Sequence, residues 1–226
     1  MTLVDDLLPA QTDLMTKIRH IAEATALLGA LYCARRYYRN WGTTKAESQM
    51  RLPGDALVGD PAIQVTEAVY IDAPASAVWP QLQKNPFGSA DDADQSQPSD
   101  RQLAVGDQLR LAPAGWLGLP DGVTLTVEEV VAGQHVVFRT EQSRPSWNAV
   151  LSFHVQPHWE DRVRLLARAR IALRHPGEVF AMELARPVIA MGTRGWLLGA
   201  KHRAERATAR SVSAESPAFE EASEKS

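Results

Sequence analysis

The stretch VYIDAPASAVWPQL, residues 69–82, changes its period partway through. Val69 and Ile71 alternate with Tyr70 and Asp72, as in a strand with one face buried and one wet. From Pro74 the spacing turns helical, through Ala75, Ser76, Ala77, Val78 and Trp79. Asp72 can accept hydrogen bonds from the first free helical N–H groups, and Pro74 stands where a missing N–H costs little. One strand thus feeds directly into a short helix carrying a large aromatic ring. That ring needs a surface to pack against.

Downstream, the pattern supplies one. After a polar, Pro-containing segment at 84–102, short strands follow at 106–112, in VTLTVEEVV, in HVVFRTE and in SWNAVLSFHV. The last of these puts Trp147, Ala149, Leu151, Phe153 and Val155 on one face. RVRLLARARIAL, residues 162–173, alternates most strictly, with Arg162, Arg164, Arg168 and Arg170 opposite Val163, Leu165, Ala167, Ala169 and Ile171. Such alternation predicts an antiparallel meander whose arginine face is wet. A helical pattern then runs from about Pro176 to Ala209, with Glu178 in its first turn and Pro187 expected to kink or break it. Strand, short helix, meander and long helix make an α+β layout, in which only the long helix is long enough to cover the sheet. Trp79 would close one end of the space between them.

The 226 residues are 45% hydrophobic and 23% charged, an ordinary globular composition with enough chain for one sizeable core. A net charge of -3 provides no basic field for nucleic acid. The single cysteine, Cys33, excludes an internal disulfide and points to a reducing compartment. The expected organisation is a flexible terminus at 1–16, a hydrophobic helix at 17–41 and a Gly-, Pro- and Asp-rich connector at 42–63. The domain then spans 64–209, and a disordered tail occupies 210–226.

The segments IDAPASAVWPQL, VGDQLRLAP and VFAMELARPVIAMGTRGWLLGAKHRAE, with the meander between them, resemble the SRPBCC (START or Bet v 1-like) superfamily. More narrowly they resemble its bacterial polyketide cyclase/dehydrase-like branch. RNWGTTKAESQMRLPGDALV is similar to the lead-in of actinobacterial members. The resemblance covers about residues 41–205 and departs from the pattern at 84–102, where an aromatic-rich second helix is usual. It implies a helix-grip fold and the binding or transport of an apolar small molecule, a lipid or polyketide-like compound, between sheet and long helix. The alternative it implies is a cyclase or aromatase acting in the same cavity.

On this view Trp79, Trp116, Phe138, Trp147, Phe153, Met182, Ile189 and Met191 are the expected cavity wall. Glu67, in phase with Val65, Val69 and Ile71, is the one weak catalytic candidate. It would be a polar handle or a general base with a raised pKa, against the preferred reading of a solvated carboxylate near the strand's open end. Gly192, Gly195 and Gly199 either pack closely on a neighbour or make room for a ligand. No metal or cofactor is expected. His154 and His158 straddle a strand end and Pro157, with no Cys or acidic ligand at zinc spacing. DDADQSQPSD fails as a calcium loop, with Gln97 and Leu103 where Gly and Glu belong. Nor does any nucleophile-elbow, phosphate-loop or dinucleotide motif occur.

KIRHIAEATALLGALYCARRYYRNW, residues 17–41, has an apolar stretch only from Ala24 to Ala34, short of a bilayer span. Its first reading is a helix docked on its own domain. Lys17, Arg19, Arg35, Arg36 and Arg39, with Tyr37, Tyr38 and Trp41, make attachment to the inner face of a membrane the second. Either way the domain is expected in the cytoplasm. Oligomeric state has no signal in the sequence.

Overall fold

The alternation at 63–71 becomes β1 (Ile63–Ile71), and helical spacing after Pro74 becomes α3 (Ala75–Gln83), so the quoted stretch folds as read. The computed structural model describes residues 7–38, 40–83, 102–115, 121–143, 146–173 and 175–223. The segment 84–101 and Trp116 lie outside them. Around β1 and α3 stand α1 (Leu7–Tyr38), α2 (Lys45–Gln49), a 3-10 turn (Asp55–Val58), β2 (Gln108–Ala112), β3 (Val123–Val131), β4 (His135–Ser143), β5 (Ser146–Trp159), β6 (Arg162–Ala172) and α4 (Pro176–Ser223).

The strands form one curved antiparallel sheet in the order β1-β6-β5-β4-β3-β2, gripping α4. Bulges between Val127 and Glu129 and between Pro157 and Trp159 help to bend it. On the concave side Val69, Ile71, Val123, Leu125, Val127, Phe138, Phe153, Val163 and Leu165 meet Val78, Trp79 and Leu82 of α3 and Leu197, Ala200 and Ala204 of α4. Trp79 therefore packs into the core between sheet and long helix, where its ring buries the most apolar area.

Four expectations need correction. Pro187 does not break α4, which is one helix from Pro176. The helix also runs past 209 to Ser223, because the segment read as a disordered tail is rich in Ala and Glu, which propagate a helix. Cβ atoms added at Gly192 or Gly195 would meet nothing within 4 Å, so neither glycine marks a close approach. And the arginine face of β6 is not wet.

That face is covered by residues 40–59, most of which belong to the extended connector expected at 42–63. Thr44 and Glu47 form a capping box that starts α2, and Glu47 then receives both Nε and Nη2 of Arg164 at 2.8 and 3.0 Å. Arg168, 1% exposed, donates to Thr66 Oγ1, to the Met50 and Glu47 carbonyls and to Asp55 Oδ2. Arg170 donates to the Val58 carbonyl and to Gln64. The guanidinium forks suit this covering because each supplies several N–H groups to carbonyls that the lead-in cannot pair within itself. Val58 completes the cover over Val137 and Val150.

Beside this network His154 is buried against Ser152 Oγ at 2.9 Å, with the His135 ring 5.7 Å away. Burial, reinforced by the positive neighbours His135 and Arg168 and opposed by Asp55, pushes the His154 imidazole down to about 4. His158 instead lies against Tyr70 and Trp159.

α1 meets α4 and not the sheet. Every described side chain from Met15 to Ala30 is exposed, Ile18, Ile21, Leu27 and Leu28 among them. Among the described residues no helix is long and apolar enough to cross a membrane.

Candidate functional site

Short side chains decide where space remains inside the grip. Toward Leu197 and Ala204 the aromatic rings of Trp79, Phe138 and Phe153 fill the gap between helix and sheet. Toward the N-terminal half of α4 the facing strands carry Ala167 and Ala169 on β6, and α4 carries Ala190. These cannot reach across, and a cavity of about 50 Å³ is left, open on one side. Its apolar wall is Ile63, Val65, Leu151, Ala167, Ala169, Ile171, Met182, Ile189 and Ala190.

Of the eight expected wall residues, Met182 and Ile189 line this space. Trp79, Phe138 and Phe153 are core instead, and Trp147 packs against that core. Phe153 also stacks on Trp196, their ring centroids 4.3 Å apart. Met191 points outward on α4, 52% exposed. Sequence patterning marked large residues as wall because they were apolar and in phase, but large residues fill space. The alanines that leave it share the same apolar pattern.

Three polar side chains, Glu67, Arg186 and Thr193, also line the cavity. Glu67 is not solvated, as the preferred sequence reading had it, but 1% exposed on the concave face of β1. The reason is the lead-in. β1 is an edge strand, and its open edge at Thr66 and Ala68 is closed by Asn40 Oδ1 and the Trp41 carbonyl, which accept the two N–H groups at 3.1 and 3.2 Å. Gly42 makes this crossing possible. At its φ of 74°, a Cβ would lie 2.4 Å from the Ala68 carbonyl oxygen. Arg194 of α4 then donates to that same carbonyl at 2.8 Å and sits 5.3 Å from the centre of the Trp41 ring. Water is thus shut out from the outer side of β1 just where Glu67 points inward.

Desolvation pushes the Glu67 carboxyl up to about 8, with the Arg194 charge working in the opposite direction. At neutral pH the group is largely protonated and can donate a hydrogen bond. Arg186, also buried, holds Glu183 at 2.8 Å. A neutral acid and a paired guanidinium on an otherwise aliphatic wall can orient one polar end of an apolar molecule. Among the described residues no cluster of three or more His, Cys, Asp or Glu side chains is arranged to hold a metal ion.

No family model matches the chain, and no curated protein matches it either. Solved structures to which the chain is similar include a Helicobacter pylori protein described as hypothetical, 14% identical over 72% of this chain and 99% of its own, with a TM-score of 0.47. They also include the di-domain aromatase/cyclase StfQ of the steffimycin biosynthetic pathway, 13% identical over 65% of this chain and 52% of its own, TM-score 0.47. A truncated norcoclaurine synthase from Thalictrum flavum is 15% identical over 62% of this chain and 90% of its own, TM-score 0.42. At such identities and scores the helix-grip assignment stands on this chain's own strand order and on the helix that the sheet encloses.

Proposed function

We propose that the chain binds a small apolar molecule between the N-terminal half of α4 and strands β1, β5 and β6. The observation that supports this is the cavity where Ala167, Ala169 and Ala190 leave space that a core without a ligand has no reason to keep. Its volume is about a third of the roughly 150 Å³ at which an apolar cavity takes one aromatic ring, so a lipid or polyketide-sized ligand requires α4 to move outward at Ile189. Native mass spectrometry of the purified chain is expected to find a co-purifying apolar compound. Ala169→Leu, which fills the cavity, is expected to lower its occupancy at least about tenfold, equivalent to 1.4 kcal/mol. Unchanged occupancy in a folded Ala169→Leu protein would remove the proposal.

A second reading, a cyclase or aromatase working in the same cavity, is favoured by one feature. The Glu67 carboxyl titrates near neutral pH, where a group can both give and take a proton. Turnover of a polyketide intermediate by the full chain, lost in Glu67→Gln, would establish it over simple binding.

The exposed face of α1 supports a surface role for this helix. At helical spacing Met15, Ile18, Ile21, Leu28 and Tyr32 fall on one side, while Arg19, His20 and Glu23 pair on the other beside the exposed Leu27. Thr25, within the apolar face, has its hydroxyl bonded to the Ile21 carbonyl and offers no unmet polar group. With Lys17 and the arginines at 35, 36 and 39, such a helix suits the plane of an anionic membrane surface on the cytoplasmic side. The full chain is expected to sediment with vesicles containing phosphatidylglycerol, and Ile21→Glu with Leu28→Glu to abolish this. Equal sedimentation of both forms would exclude the role.

A further inference from the structure

The cavity has apolar walls, yet one of its polar groups is left over. Glu67 is 1% exposed, and among the described residues its Oε2 has no hydrogen-bond partner. A buried acid with unused hydrogen-bonding capacity is costly unless something meets it. Ala167 lies opposite it across the strand pair, Leu151 is a further wall residue on β5, and Trp41 closes the edge, so none of these elements brings it a charged partner. The charged groups facing it come from α4: Arg186, held to Glu183, and Arg194, held to the Ala68 carbonyl and the Trp41 ring.

We propose that the ligand of this cavity is an apolar molecule ending in an acceptor oxygen, a ketone or a carboxylate, that takes its hydrogen bond from the Glu67 carboxyl. This rests on the reading of the cavity as an apolar ligand site. The balance of donors decides the head group. The protonated carboxyl, the Arg186 guanidinium and the Thr193 hydroxyl can all donate into the cavity. An ammonium head would add a cation beside Arg186 and Arg194 while Glu67 carries no compensating charge. A ketone adds no charge, and a carboxylate is offset by Arg194. The short alanine side chains on β6 leave the apolar body of the ligand its place along the sheet.

The test uses the full chain with 2-hexanone, hexanoate, hexylamine and hexane as probes, their binding followed by ligand-observed NMR. Near neutral pH, 2-hexanone or hexanoate is expected to bind at least about tenfold more tightly than hexylamine or hexane. Binding of 2-hexanone alone identifies a neutral head, and binding of hexanoate alone an anionic one. Glu67→Gln, whose amide still donates, keeps the preference, and Glu67→Leu loses it. Ketone affinity for the unaltered chain falls about tenfold per pH unit above about 8, as the carboxyl loses the proton it donates, while Glu67→Gln stays flat. Should Glu67→Leu not fold, the flat profile of Glu67→Gln decides. Equal binding of hexylamine, or a pH profile unaltered in Glu67→Gln, overturns the proposal. Hexane binding as well as the headed probes overturns it too but leaves the apolar site standing. If no probe binds at all, the apolar site falls with it.

Discussion

Replacing Arg168 with alanine is expected to destabilise the protein by about 3 to 5 kcal/mol, the cost of breaking one side of a buried ion pair. The magnitude follows from what is left behind. Asp55 loses its 2.8 Å guanidinium partner and keeps the Leu52 N–H at 2.9 Å and Arg170 at 3.5 Å. The carbonyls of Met50 and Glu47 and the hydroxyl of Thr66 lose their donor on a covered face. For a chain of this size the loss corresponds to roughly 10 °C in melting temperature. Because all of these contacts but the one to Thr66 run to the lead-in, protease cleavage between residues 41 and 59 should rise in the variant before the sheet unfolds. Arg168→Lys is expected to recover less than half of the loss, since an ammonium cannot reach several acceptors at once. An Arg168→Ala protein as stable as the parent would mean that the lead-in contributes nothing to the fold.

Glu67→Gln is expected to make the protein more stable above neutral pH. In the unfolded chain this carboxyl ionises near 4.5, and in the folded one near 8. As pH rises between these values the unfolded state releases its proton first, so folding loses stability, reaching about 5 kcal/mol by the upper limit. His154 acts in the opposite direction. Its value falls from 6.5 to about 4 on folding, so stability is lost as pH drops through that window, by about 3 kcal/mol in full. From 4.5 to 6.5 the two slopes oppose and nearly cancel. The Glu67 effect therefore stands alone between 6.5 and 8, as a loss of about 2 kcal/mol. Denaturant unfolding across this range should show the decline in the parent and not in Glu67→Gln. The same decline in both would place the ionised carboxylate in contact with water.

Much of the molecule was legible from residue order alone. The switch of period at Pro74, the alternation at 162–173 and the long helical run after Pro176 specify a meander and a covering helix, because each is a local property of the chain. The inward faces of β1, β5 and β6 could be assigned in the same way, Glu67 included. What Glu67 experiences could not. Its burial depends on Asn40, Trp41 and Gly42, some 25 positions away, closing an edge that sequence alone leaves open. The arginine stripe misled for a related reason. Period two distinguishes the two faces of a strand but does not say what lies on either, and a segment without apolar periodicity covers one of them through backbone carbonyls. Its one local sign was the Thr44-to-Glu47 capping box. The cavity belongs to tertiary structure entirely. Phe138, Phe153, Ala167 and Ala169 share one apolar face of the sheet, and only the distance between sheet and helix at each position decides which of them fills space and which leaves it.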